Sequence, residues 1–191
     1  MRRNLMAKSL LLAALSAPVA SHAMDVRPFF TAGYDFGGDT LVNVTFTDGS
    51  TDSLKANEGF YFGGGASILT DSKRYEIELS LAYKFSKINA SNGDVEFTRL
   101  PLEALVFYRF DRARLGGGLT YHLNPKLEGS GVATPLNLKF DDALGFVLQA
   151  DFLATEKMAI GLRYTNLEYE VEGAAAKAKS NGLGFTFSYR F

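Results

Sequence analysis

The chain has 191 residues with 20 Lys and Arg against 21 Asp and Glu, and its net charge of −1 excludes the basic footprint of a nucleic-acid binder. It has no cysteine, which removes disulfides, thiolate nucleophiles and cysteine-based metal sites. Nineteen glycines, 16 Phe and 9 Tyr favour strands over helices.

Arg2, Arg3 and Lys8 precede an apolar run at 10–15, and Ser21-His22-Ala23 puts small residues at the −3 and −1 positions of a cleavage site. Residues 1–23 therefore read as a secretory signal peptide. Its apolar run is too short to span a bilayer as a helix, and no later stretch reaches about 18 uninterrupted apolar residues. Any membrane crossing is by strands. The remaining residues, 24–191, suit one domain, and they hold 17 Lys and Arg against 21 Asp and Glu, a balance of −4.

The first predicted strand, 26–36, puts Phe30, Ala32, Tyr34 and Phe36 on one face and Thr31, Gly33 and Asp35 on the other. Residues 37–58 are polar and contain the hairpin signal Asp48-Gly49, so a long loop, partly hairpin, is expected there. The second strand, 59–70, aligns Phe60, Phe62, Ala66 and Ile68, and a short turn at 71–73 leads to the third, 74–87. There Tyr75, Ile77, Leu79, Leu81, Tyr83 and Phe85 alternate with Glu76, Glu78, Ser80, Ala82, Lys84 and Ser86. A turn at 89–94, with Asn92-Gly93, precedes the fourth strand, 95–108. In it Arg99, Pro101 and Glu103 share a face, and Pro101, which donates no ladder hydrogen bond, predicts a bulge or a missing bond.

After a turn at 109–112, the fifth strand, 113–124, sets Arg114, Gly116, Gly118, Thr120 and His122 opposite Leu115, Leu119, Tyr121 and Leu123. Residues 125–140 read as a second long loop. The sixth strand, 141–153, alternates Leu144, Phe146, Leu148 and Phe152 with Gly145, Gln149 and Asp151. A turn at 154–157 leads to the seventh, from 158 to about 171, with Arg163 opposite Ile160, Leu162 and Tyr164, and a loop at 172–179 follows. The closing strand, 180–191, sets Leu183, Phe185, Phe187, Tyr189 and Phe191 against Gly182, Gly184, Thr186, Ser188 and Arg190.

That terminal aromatic strand, the leader, the even count of eight and the alternation of short turns with longer loops resemble the small bacterial outer-membrane β-barrel superfamily, the OmpA-type transmembrane domain and its adhesin and opacity-protein relatives. The resemblance implies an all-β fold, an eight-stranded antiparallel up-and-down transmembrane barrel with both termini periplasmic. It also implies that Tyr189 and Phe191 are read by the barrel insertion machinery, and that outer-membrane lipid and lipopolysaccharide surround the wall. No periplasmic domain is expected after Phe191.

Alternation alone leaves a soluble lipocalin-like barrel as the rival, with its apolar face inside. Aromatics near strand ends and strands of about 10 residues or more favour lipid. Because Lys or Arg facing lipid near the midplane costs roughly 2–4 kcal/mol, the charged face must point inward. Asp35, Glu76, Glu78, Glu103 and Asp151 then meet Lys84, Arg99, Arg114, Arg163 and Arg190 in an interior ion-pair network.

No catalytic, metal or cofactor residue is assigned. His122 is the only histidine after the leader, lacks the lipid A deacylase motif and falls on the inward face. The Gly63–Gly65 and Gly116–Gly118 runs lie within strands with no following helix, which suits curvature and room for large neighbours rather than a phosphate loop. The leading functional expectation is a structural or surface-interaction barrel acting through 37–58, 124–140 and 168–179, with an unidentified extracellular ligand. A narrow channel for small solutes and a lipid A-modifying enzyme are the alternatives.

Overall fold

The structure, a computed structural model, describes residues 25–46, 48–90 and 93–191. The predicted leader, 1–23, and Asn92 of the predicted Asn-Gly turn lie outside them. In chain order the strands are β1 (Asp25–Gly37), β2 (Thr40–Thr45), β3 (Thr51–Lys55), β4 (Gly59–Leu69), β5 (Tyr75–Ala90), β6 (Gly93–Arg109) and β7 (Ala113–Gly129). They continue as β8 (Asn137–Lys139), β9 (Ala143–Leu153), β10 (Met158–Asn166), β11 (Glu168–Glu170), β12 (Lys177–Lys179) and β13 (Gly182–Arg190).

Eight of these, β1, β4, β5, β6, β7, β9, β10 and β13, form the wall, each antiparallel to the next, and the β6–β7 pairing closes it. Starting at Arg27, the ladder passes through Ser67, Glu78, Leu105, Gly118, Val147, Thr165 and Gly182 and returns to β1 at Gly37. That displacement along β1 tilts the strands by about 40°, the tilt of a closed barrel. Closure leaves the wall no free edge, so its backbone polar groups pair along the ladder without water except where the ladder is locally interrupted.

Short turns at one end join β4 to β5, β6 to β7 and β9 to β10, and Asp25 and Phe191 lie at this end. The other end carries four hairpins, β2–β3, the tops of β5–β6, β7–β8 and β11–β12. Gly49, at φ +84°, takes the left-handed turn position that the sequence assigned to Asp48-Gly49.

Two predicted boundaries are corrected. Strand five does not stop at 124 with a loop over 125–140. β7 continues to Gly129 and pairs with β8 through Lys126, Leu127 and Glu128. The β6–β7 register shifts between Thr98 and Leu100, so Asn124 and Pro125 together oppose Arg99. This is a bulge, with Asn124 at φ +50°, and it reverses the parity of the strand. Before it His122 points inward, and after it Leu127 does. Likewise 168–179 is not simply a loop but the β11–β12 hairpin. Pro101 leaves a gap in the β5–β6 ladder, which skips from Leu81↔Leu102 to Lys84↔Arg99.

The facing is unambiguous. Phe60, Leu115, Leu148, Ile160, Leu162 and Phe185 are exposed on the outer wall, while Asp35, Glu76, Lys84, Arg114 and Arg190 are buried inside. A soluble barrel has the reverse arrangement, and an exposed apolar belt of this extent needs a nonaqueous surround. Aromatic contacts gather toward the two ends. Phe185, Phe36, Tyr34, Phe60, Phe85 and Tyr83 run in a ring-to-ring series near the hairpins, and Tyr75–Tyr108–Phe110 and Tyr189–Phe191 group near the short turns.

Candidate functional site: the filled lumen and the hairpin end

Strand alternation delivers the charged face to the lumen, and barrel closure, rather than strand neighbourhood, brings most partners together. Toward the short turns, Arg114 holds Glu78 at 2.6 Å, Asp151 at 2.6 Å and Glu76 at 3.1 Å. Arg190, on β13, holds Glu76 at 2.6 Å and Glu78 at 2.8 Å from more than a hundred residues away. Arg109 adds a third cation at 2.5 Å from Glu76, and Ser67 and Gln149 donate to Glu76 and Asp151. Three carboxylates thus face three guanidiniums. The Arg114 guanidinium also lies 3.9 Å from the Phe107 ring centroid.

Room for the lumen side chains comes from glycine. A Cβ at Gly161 would fall on the Asp151 carboxylate, and one at Gly184 on that of Asp35. Gly116 makes space for the Phe107 ring, 2.6 Å from where its Cβ would stand.

Nearer the hairpins, Lys84 holds Asp35 at 2.5 Å and donates to Asn57 at 3.2 Å. Arg163 pairs with Glu103, which also accepts from Thr120 at 3.2 Å. Arg99 departs from the expected network, since it forms no ion pair among the described residues. It donates to the carbonyls of Glu58 at 2.6 Å and Phe97 at 3.3 Å. The physical reason is local: Lys84 is its direct cross-strand partner, and like charges placed opposite each other diverge.

An apolar layer closes the hairpin end. Leu54, Ala56, Ile88, Val95, Phe97, Leu127, Phe140, Leu167, Tyr169 and Ala178 come from all four hairpins and pack as one buried cluster. Phe97, Phe140 and Tyr169 meet ring to ring at 5.5–5.8 Å. Beneath them the Tyr169 hydroxyl meets His122 Nδ1 at 2.5 Å. His122 therefore fastens β11 to the wall. Replacing Tyr169 by Phe leaves that nitrogen unpartnered and should cost about 1–3 kcal/mol. The same variant should be nicked earlier by proteinase K within 168–179, which a gel of digested membranes reads directly.

Outside this layer the hairpins are acidic. Residues 38–58, 86–97, 125–142 and 167–181 carry 12 Asp and Glu against 6 Lys and no Arg. Lys177, bonded to Glu168 and Glu170, is held above the ordinary lysine range by those hydrogen bonds. From the lysine side its pairing is thus complete at neutral pH and is lost as pH rises through the raised value, while salt screens it throughout.

Sequence reasoning identified the inward charges but missed Arg109 and the apolar layer. Arg109 sat in a predicted turn, and the parity change at Asn124-Pro125 hid Leu127. Among the described residues no group of three or more His, Cys, Asp or Glu is placed to hold a metal ion.

Comparison with known proteins adds the family and the fold. The model of the outer membrane protein beta-barrel domain matches residues 9–191. Three solved structures are similar: Ail, the attachment invasion locus protein of Yersinia pestis, in complex with the heparin analogue sucrose octasulfate; Neisserial surface protein A; and outer membrane protein H of P. aeruginosa. Ail is 15% identical with a TM-score of 0.56, covering 89% of this chain and 100% of its own. The Neisserial protein is 11% identical with a TM-score of 0.51, covering 89% and 100%. The P. aeruginosa protein is 14% identical with a TM-score of 0.53, covering 86% and 99%. No curated protein sequence matches the chain.

Proposed function

Since the chain belongs to the outer membrane protein beta-barrel family, we propose that this integral outer-membrane barrel is a non-enzymatic scaffold that displays four hairpins to the cell exterior for surface interaction. The observation that carries the reading is the filled lumen. Its charges other than Arg99 are ion-paired and its hairpin end is packed shut by side chains, while the hairpins carry exposed polar residues. An eight-stranded wall is just wide enough for such filling. The short turns and both ends of the described wall then face the periplasm, with the Tyr189–Phe191 ring pair at 5.3 Å presented there as the signal for insertion. The apolar belt meets outer-membrane lipid, and lipopolysaccharide surrounds the bases of the hairpins.

Ail's structure holds a sulfated heparin analogue, but the acidic balance of the hairpins here repels a polyanion. A basic or uncharged partner face suits this chain better. The channel alternative is separated by planar-bilayer recording of the purified protein. The filled lumen predicts no discrete conductance, and reproducible unitary steps would establish a channel instead.

A further inference from the structure

We infer that the lumen contains a built site for one ordered water molecule, formed by Asp35, Tyr61, Arg163 and Thr165. Four buried side-chain atoms, Asp35 Oδ1, the Tyr61 hydroxyl, Arg163 Nε and Thr165 Oγ1, have no hydrogen-bond partner, and all four residues line one internal void. Each of these residues is at least nine-tenths buried. The void measures about 10 Å³, which is the space of about one water molecule. Arg163 Nε and Asp35 Oδ1 stand 4.0 Å apart, too far for a direct hydrogen bond and close enough to share an intervening oxygen.

The chemistry selects water over an ion. Arg163 Nε can only donate, Asp35 can only accept, and the two hydroxyls can do either. Lys84 already neutralises Asp35, and Glu103 already neutralises Arg163, so the ligand must be uncharged. A halide would face the Asp35 carboxylate and a sodium ion the Arg163 guanidinium. A water molecule satisfies both and links β10 to β1 over the intervening β13. The inference is independent of what the hairpins bind.

The test is a crystal structure of the full-chain protein extracted from membranes, grown with bromide in place of chloride. One peak within hydrogen-bonding distance of at least three of the four atoms, without anomalous bromide signal, is expected. A bromide signal there overturns the water, as does a direct Arg163–Asp35 bond with no peak. In detergent micelles, nuclear Overhauser contacts from a long-lived water to the Thr165 methyl and Tyr61 ring protons should be present in the wild type and lost in Tyr61→Phe/Thr165→Val. Their absence from the wild type also overturns the site, so a folding failure of the double variant leaves the question decided.

Discussion

Arg114→Met should destabilise the barrel by about 3–5 kcal/mol, the range for removing one partner from a buried charge group. Arg114 is fully enclosed and serves Glu76, Glu78 and Asp151 together, with its guanidinium on Phe107. Its loss leaves three carboxylates in the lumen with Arg190 and Arg109, both of which contact Glu76. The excess negative charge is buried with Glu76, Glu78 and Asp151. Neutralising one carboxylate should therefore recover part of the loss, and Arg114→Met/Glu78→Gln should be more stable than Arg114→Met alone. The chain has no tryptophan, so the convenient readout is the urea concentration at which the compact form disappears from unboiled gels. A double variant no better than the single one would mean that packing, rather than charge balance, gives Arg114 its role.

Leu162→Arg should cost about 2–4 kcal/mol in lipid vesicles. Leu162 is 56% exposed at the middle of β10, between Ala150 and Phe185 on the neighbouring strands. In water such a side chain would be an ordinary surface residue, and an arginine there would cost little or improve solubility. In a bilayer it sits near the midplane, where a guanidinium must tilt toward a headgroup or drag water inward. The sign of this single substitution therefore reports which solvent surrounds the wall. Tyr108→Arg, in the aromatic group near the short turns, should cost clearly less because that level lies at the interface.

The period-2 pattern made the wall legible from the sequence. Glu76, Glu78 and Lys84 alternate with Tyr75, Ile77, Leu79 and Tyr83 without a break, and that alternation survives intact in β5. What could not be read was which charges meet. Glu76 and Arg190 lie 114 residues apart in the chain, and only closure of the ladder with its fixed displacement sets them 2.6 Å apart. Arg99 shows the limit from the other side, because alternation places it correctly inside while its neighbour Lys84 turns it toward backbone carbonyls.

The hairpin end was harder still. Asn124-Pro125 has the composition of a strand ending, and the apolar residues beyond it fall on the wrong parity for a continuing strand. A bulge reconciles the two, since Leu127 pairs with Leu138 one step out of phase with His122. An apolar residue offset by one after Asn-Pro is the signal that could have revealed it. The short strands of β11 and β12 give too few alternations to be distinguished from a loop, and their order comes from Tyr169 and Ala178 packing into the apolar layer.

The absence of cysteine makes display of the hairpins directly measurable, because a single introduced thiol is the only one in the protein. Ser50→Cys and Ala175→Cys place it on the β2–β3 and β11–β12 hairpins, and Ser72→Cys places it on a short turn. On intact cells a membrane-impermeant maleimide should label the first two and leave the third unlabelled until the outer membrane is broken. Labelling of Ser72→Cys with protection of the hairpin positions would contradict the account, because the acidic hairpins would then face the periplasm.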